Sequence, residues 1–161
     1  MARDAQAVVL MVVSSEQAES ALFSPTGLLT TLPSDAVVLL CSTVAPDYAR
    51  SLAARLLRDH RVHLVDAPVS GGVIKAAAGA LTIMASGSPT ALTSAHPVLD
   101  ALTKQGGKLY QISGGAGMGS SVKMVNQHLA GVHIAAAAEA MAMGSQLGLD
   151  PKEVYEIIKV P

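Results

Sequence analysis

A lysine and two side-chain amides follow a glycine-rich segment, in the stretch GMGSSVKMVNQ at residues 117–127. On a helix, Lys123 lies three residues before Asn126 and four before Gln127, so all three share one face near the helix N-terminus. The helix dipole disfavours a cation at that end, which lowers the pKa of an amine and helps it to exchange a proton. Taken alone, the pattern also fits an ordinary solvated lysine in a first helical turn.

A second stretch that could bind a ligand is DAPVSGG at residues 66–72, directly after an apolar segment that predicts a buried strand. Ligands of open α/β sheets bind at the carboxyl ends of the strands. Ser70 is followed by Gly71 and Gly72, which let the backbone approach a ligand closely and offer amide N–H groups to an anion. A tight strand-to-helix turn is the alternative interpretation.

A third candidate is the segment 41–46 (CSTVAP), again at the end of a predicted strand and the start of a predicted helix. Thr43 is placed either to cap that helix or to contact a cofactor, and capping is the commoner role of such a residue.

Two further patterns are set aside. The glycines of residues 114–119 (GGAGMG) stand between a strand and a helix, but Ser120 occupies the last position of G-x-G-x-x-G, and no second strand ending in an acidic residue follows. We therefore do not interpret them as a dinucleotide-binding loop. His128 and His133 are five residues apart rather than four, so we predict no metal site.

The elements that must position these residues alternate between strand and helix along the first two thirds of the chain. Continuous apolar runs predict strands buried on both faces, and helical spacing with proline or serine at the start predicts helices. The strands are predicted at 7–13, 36–41, 62–65, 80–85 and 108–112, and the helices at 16–22, 46–60, 74–78 and 89–102. The order predicts an α/β fold with a largely parallel sheet.

The pattern changes near residues 113–119. A long helix without proline is predicted from residue 119 to 147, and Gly148 is suited to end it. Asp150, Pro151 and Glu153 then form the N-cap, first position and capping-box partner of another helix, which runs to the end of the chain at Pro161.

Composition excludes several classes of function. The net charge of the 161 residues is −1 and no basic stripe is present, which argues against nucleic-acid binding. The apolar stretch 128–143 is interrupted by His133 and Glu139 and is rich in alanine, so a buried helix is favoured over a membrane span. The start of the chain lacks the layout of a signal peptide, and the single cysteine, Cys41, fits a reducing compartment. We expect a cytoplasmic protein, with an organelle as the alternative.

Four motifs, in this order and spacing, resemble the β-hydroxyacid dehydrogenase family, which includes 3-hydroxyisobutyrate, tartronate-semialdehyde and L-threonate dehydrogenases. They are STVAP at 42–46, DAPVSGG at 66–72, GALTI at 79–83 and G-x-G-x-x-x-K-x-x-N at 117–126. The resemblance covers essentially the whole chain. It implies a partial NAD(P)-binding Rossmann-like domain at residues 1–115, then a long interdomain helix and the start of an all-helical domain at residues 116–161.

The resemblance also implies roles on the substrate side. Ser70, Gly71 and Gly72 resemble the part that binds the substrate carboxylate. Lys123 matches the catalytic lysine, which exchanges a proton with the substrate hydroxyl while hydride passes to or from the nicotinamide. Asn126 matches the asparagine of the motif, and Gln127 stands where relatives usually have a second asparagine that contacts substrate.

On the cofactor side, which takes NAD or NADP, Thr43 matches a contacting position, and Val13 and Ser14 stand where relatives often have Leu-Pro. The family begins with a strand and a glycine-rich loop that this chain lacks, and its helical domain continues further. We therefore expect a fragment, a truncated gene model or part of a fusion, and for the parent protein a small hydroxy-acid substrate and a homo-oligomer, a dimer or tetramer.

Three alternatives stand beside this hypothesis. The chain could be a catalytically inactive structural or oligomerisation module. The 6-phosphogluconate dehydrogenases share a Ser-Gly-Gly loop and a lysine-bearing helix, although Ala67-Pro68 and Asn126-Gln127 fit the hydroxyacid branch better. Imine reductases have the same scaffold but generally lack the lysine.

Overall fold

The computed structural model describes residues 2–159, which divide into two compact units, one ending at Met124 and one beginning at Val125. Residues 1, 160 and 161, at the outer ends of the two predicted domains, lie outside the described residues. The first unit contains a six-stranded sheet with strands β1 (Ala7–Leu10), β2 (Val37–Leu40), β3 (His63–Asp66), β4 (Val69–Ser70), β5 (Thr82–Gly87) and β6 (Lys108–Gln111).

Three of the five strand pairings are parallel, and β5 and β6 run in the direction opposite to that of β1, β2 and β3. β1, β2 and β3 are adjacent and parallel, and β6 is parallel to β5. β5, however, runs antiparallel to β3, and the two-residue strand β4 pairs antiparallel with β5. The α/β prediction is confirmed, whereas the antiparallel pairings and strand β4 were not predicted.

The same unit contains the helices α1 (Ser15–Phe23), α2 (Pro46–His60), α3 (Gly72–Ala77) and α4 (Pro89–Thr103), of which α1, α2 and α4 bury side chains against the sheet. α2 has the bounds that the sequence predicted. The side chains of Ser14 and Ser88 cap α1 and α4 by accepting hydrogen bonds from backbone amides. The prediction that Thr43 could cap α2 was wrong, because Ala45 occupies the N-cap and no side chain bonds there.

The core lies on both faces of the sheet. On one face Leu22 of α1 and Leu52 and Leu56 of α2 are fully or nearly fully buried against β1, β2 and β3. On the other face, Ala91, Ala95 and Leu99 of α4 pack against β2, β3 and β5. The four residues of β2 are buried on both sides, which explains their continuous apolar run.

The second unit consists of the greater part of helix α5 (Met118–Gln146) and helix α6 (Pro151–Ile158). Gly148, at a φ of 79°, ends the first of these as predicted. Asp150 caps α6 through the backbone amide of Lys152, rather than through the predicted exchange with Glu153. Most side chains of this unit are exposed, Val125, Leu129 and Val132 among them.

α6 ends at Ile158, and the predicted continuation to Pro161 extends outside the described residues. Within residues 2–159, every helix falls short of the length and apolar character that crossing a membrane requires.

Two adjacent leucines of α2 test how much the packing of this helix stabilises the first unit. Leu56 is fully buried, whereas Leu57 is half exposed. Leu56→Ala is expected to lower the free energy of unfolding by about 2–5 kcal/mol, because it leaves a cavity in the core. Leu57→Ala, the matched control, is expected to change it by about 0.5 kcal/mol or less. Urea unfolding followed by circular dichroism measures both, and equal effects would contradict the packing described.

Candidate active site

The centre of the candidate site is the carboxylate of Asp66, which ends strand β3 and is fully buried. Its Oδ2 accepts hydrogen bonds from the backbone amides of Gly117 (3.0 Å) and Ser120 (2.8 Å) and from Ser86 Oγ (3.3 Å). Its Oδ1 accepts from Ser120 Oγ at 2.6 Å. A buried carboxylate is tolerated in a protein when donors surround it in this way.

Apart from Ser86 of β5, these donors lie at the start of α5, which receives no cap from a side chain of its own among the described residues. Gly117 stands just before the helix, and Asp66 supplies the acceptor that a serine or aspartate would supply at that position. The amide of Gly119 donates to Ser86 Oγ at 2.8 Å, and the amide of Met118 donates to the carbonyl of Gly115. The start of α5 is thus capped from the sheet, across more than 50 residues of sequence.

Two glycines let the start of α5 come this close to its neighbours, Gly119 to the sheet and Gly117 to α2. A Cβ on Gly119 would lie 2.2 Å from the carbonyl oxygen of Met84. A Cβ on Gly117, whose φ is 93°, would lie 2.8 Å from the carbonyl oxygen of Pro46, at the start of α2. The prediction that these glycines allow close packing of the long helix is confirmed.

Lys123 follows one turn later and is buried, with 6% of its surface exposed. It lies three residues after the equally buried Ser120, so both occupy the face of α5 that is turned to the sheet. Burial lowers the pKa of the Lys123 amine. The predicted direction of the shift is therefore confirmed, but its cause is desolvation, and the alternative of a solvated lysine is wrong.

Asn126 and Gln127 lie beyond the division between the two compact units, and both side chains are exposed. They belong to the same helix as Lys123. Their predicted contacts with substrate stay predictions.

The predicted substrate loop contains regular secondary structure, a short strand followed directly by a helix. Ser70 belongs to β4, where it pairs with Thr82. Gly71 and Gly72 have φ values of 133° and 64°, which glycine adopts without strain, and they turn the chain directly into α3. Ser70 and Gly71 are half-buried and Gly72 is exposed.

The predicted cofactor residues lie at the carboxyl ends of β1 and β2, which are adjacent parallel strands. Val13 and Thr43 are exposed, and Ser14 is engaged as the cap of α1. Ser42 Oγ accepts a hydrogen bond from the amide of Val12 at 2.8 Å and so joins the two strand ends.

Sequence reasoning missed Ser86, Ser120 and the capping role of Asp66. One signal was present in the sequence: a long helix that begins at Gly117 and Met118 has no side chain able to cap it, so its acceptor must come from elsewhere in the fold. Which residue supplies it depends on a contact between distant segments.

Family comparison matches residues 1–114 to the NAD-binding domain of 6-phosphogluconate dehydrogenase, and residues 117–160 to the NAD-binding domain of NADP-dependent 3-hydroxyisobutyrate dehydrogenase. The chain belongs to the family that contains the 6-phosphogluconate and 3-hydroxyisobutyrate dehydrogenases. The resemblance predicted from the four motifs is confirmed.

Similar proteins agree in fold and in sequence. The chain is 43% identical to an L-threonate dehydrogenase of Cupriavidus necator over 94% of its own residues and 50% of that protein. It superposes with a TM-score of 0.90 and 40% identity on a 3-hydroxyisobutyrate dehydrogenase from Salmonella typhimurium, covering 100% of this chain and 54% of that one. It superposes with a TM-score of 0.78 and 30% identity on a 3-hydroxyisobutyrate dehydrogenase of Mycobacterium tuberculosis that was solved with L-serine. That match covers 99% of this chain and 52% of the other. The chain therefore spans about half the length of the relatives it matches.

Cys41 next to the site is expected to be unreactive in the folded protein. It is buried, and burial, followed by the nearby Asp66 carboxylate, raises the pKa of its thiol to about 12. At pH 8 about one thiol in 10,000 would be ionised even with access to solvent, and the thiolate is the reactive form. Reaction with Ellman's reagent is expected to be negligible in buffer and stoichiometric in guanidinium chloride. Rapid labelling of the native chain would contradict this burial.

The cost of burying Lys123 is expected to appear as a pH-dependent stability. Burial lowers the pKa of Lys123 in the folded chain below its ordinary value of 10.5, which the unfolded chain keeps. At a pH between the folded and unfolded pKa values, the unfolded chain therefore binds more protons than the folded chain. Because of this difference, the free energy of unfolding rises with pH in that range. Lys123→Met is therefore expected to raise the midpoint of urea unfolding at pH 7, and the gain should shrink as pH approaches 10.5.

The matched control is Lys104→Met, at an exposed lysine just after α4. It is expected to leave the midpoint nearly unchanged at both pH values. A Lys123→Met variant that is less stable than the wild type at pH 7 would show that the amine is not penalised by its surroundings.

Proposed function

We propose that the protein is an oxidoreductase that transfers hydride between NAD or NADP and a small β-hydroxy acid, with Lys123 as the general acid and base. The observation that carries the proposal is the burial of Lys123. The part of the chain that the structure describes gives its amine no ion pair with a carboxylate. A buried lysine without such a partner is destabilising, which a catalytic role would explain.

The chemistry required of the lysine is proton exchange. When the substrate is oxidised, the neutral Lys123 amine accepts the proton of the substrate hydroxyl as hydride leaves the adjacent carbon. In the reverse direction the ammonium form donates the proton to the carbonyl oxygen. The lowered pKa supports both steps, because it brings the two protonation states closer in population near neutral pH. A bound nicotinamide supplies the hydride acceptor or donor.

The other predicted residues would hold the reactants. Ser70, Gly71 and Gly72 would bind the substrate carboxylate through the hydroxyl and the backbone amides of the turn into α3. Asn126 and Gln127 would contact the remainder of the substrate.

Val13, Ser14 and Thr43 would line the cofactor. Residues at this edge fit a dinucleotide: Val13 and Thr43 are exposed at the carboxyl ends of adjacent parallel strands, where dinucleotides bind in such sheets.

The names of similar proteins suggest the substrate class. Relatives at 35–43% identity are L-threonate, L-serine and 3-hydroxyisobutyrate dehydrogenases, all of which are named for small hydroxy acids. We further propose a homo-oligomer in the cytoplasm, as expected from the sequence.

The test replaces Lys123 with Ala in the complete gene product that carries this sequence. Hydride transfer is measured at 340 nm with NAD and NADP on L-threonate, 3-hydroxyisobutyrate, L-serine and 6-phosphogluconate. Because proton transfer is lost, kcat/KM is expected to fall by roughly 10²–10⁴ on the preferred substrate. Lys104→Ala, at an exposed position, is the control and is expected to retain full activity.

Cofactor binding is measured on the same variants. Lys123→Ala is expected to bind NADH or NADPH as the wild type does, since the lysine exchanges a proton with substrate. Activity that survives Lys123→Ala would contradict the mechanism. Failure of the wild type to bind either cofactor would instead favour the structural module, and preference for 6-phosphogluconate would favour the other branch of the family.

A further inference from the structure

The position of the Lys123 amine depends on the first turn of α5. An α-helix rises about 1.5 Å per residue, so the backbone of Lys123 lies roughly one turn beyond Ser120. Ser120 and Lys123 are three residues apart on the buried face of the helix, with exposures of 1% and 6%. Any rotation or shift of that first turn would therefore move the lysine with it.

The hydrogen bonds that fasten this turn to the sheet converge on two residues. Within the described chain, Asp66 accepts from Gly117 and twice from Ser120, and Ser86 accepts from Gly119. The other bonds of the first turn are local, such as that from Ser121 Oγ to the carbonyl of Gly117. They hold the helix together but do not set its place against the sheet.

We propose that Asp66 is the positioning residue for Lys123: its carboxylate caps α5 from the end of β3 and thereby sets the place and the burial of the lysine amine. The expected effect on catalysis rests on the proposed function, in which Lys123 exchanges a proton with the substrate. The effect of Asp66 on the position and burial of Lys123 does not depend on that function. Asp66 does not act on substrate itself, because its two oxygens are occupied by the start of the helix and by Ser86.

The chemistry of the cap predicts a graded series of variants. Asp66→Ala removes every acceptor. Asp66→Asn can keep an oxygen toward the two backbone amides, but it loses the charge that favours a helix N-terminus and forces Ser120 Oγ to accept instead of donate. Ser120→Ala removes the single bond to Oδ1 and leaves both backbone bonds in place.

The matched control is Asp150→Asn. Asp150 also caps a helix, α6, through a backbone amide, and it is exposed in the other compact unit. The same substitution at this position should leave Lys123 as it is in the wild type.

The primary measurement is the rate at which an N-hydroxysuccinimide ester acetylates Lys123 in the folded chain, followed by mass spectrometry of the peptides that contain the individual lysines. The rate is expected to rise by roughly tenfold or more in Asp66→Ala, and by less in Asp66→Asn and Ser120→Ala, because the first turn opens more often. The exposed Lys75 and Lys108 serve as internal standards and should react equally in all variants.

Circular dichroism and thermal unfolding establish which variants are folded. If Asp66→Ala is unfolded, Asp66→Asn and Ser120→Ala decide the question. Acetylation of Lys123 at the wild-type rate in both folded variants would overturn the proposal, whatever the protein catalyses.

The second measurement is activity of the complete gene product. Asp66→Asn is expected to lower kcat by roughly 10–100-fold, because small displacements of a catalytic group are costly, while the KM for the nicotinamide cofactor stays within twofold. A lower kcat with unchanged acetylation would overturn positioning. Faster acetylation in an enzyme that also tolerates Lys123→Ala would leave positioning intact and contradict the proposed function.

Discussion

The candidate site depends on one interaction, the capping of helix α5 by the carboxylate of Asp66. The carboxylate is fully buried at the end of β3, where an isolated charge would be strongly destabilising. The amides at the start of α5 equally need acceptors, because the first amides of a helix have no partner within it. The carboxylate gives the amides their acceptor, and the amides offset the energetic cost of burying the carboxylate. The positive end of the helix dipole also attracts the negative charge of the carboxylate.

The reversed direction of β5 completes this interaction. β5 runs antiparallel to β3, and its register places Ser86 directly opposite Asp66. Ser86 then donates to the carboxylate and accepts from the amide of Gly119. A parallel β5 would have another register with β3, and the end of the sheet would lack this shared hydroxyl.

The capped helix brings together two parts of the chain that carry the family motifs. Asp66 begins DAPVSGG, and Gly117, Gly119 and Lys123 belong to the last motif. The first residue of one motif thus holds the start of the other, which gives a physical reason for their occurrence in the same protein. The burial of Lys123 follows from the same contact, since a helix held this close to the sheet exposes little of the face that carries the lysine.

Patterns along the chain were enough to predict most of the local structure and the family. Continuous apolar runs located β1, β2 and β3 to within a few residues, and Pro46 located the start of α2, because these signals depend on neighbours in sequence. The four motifs were sufficient to identify the dehydrogenase family. Helical spacing placed Lys123 near the start of a long helix.

The direction of β5, the role of Asp66 and the burial of Lys123 became evident only in the folded chain. Each of these depends on segments that are distant in the chain, such as the 54 residues that separate Asp66 from Ser120. Periodicity and capping patterns report on residues within a few positions of one another, so they contain no information about such pairs. From the sequence alone, an aspartate after a strand and a lysine in the first turns of a helix are both expected to be exposed to solvent. In the folded chain Asp66 and Lys123 are both buried, where the start of α5 packs against the sheet.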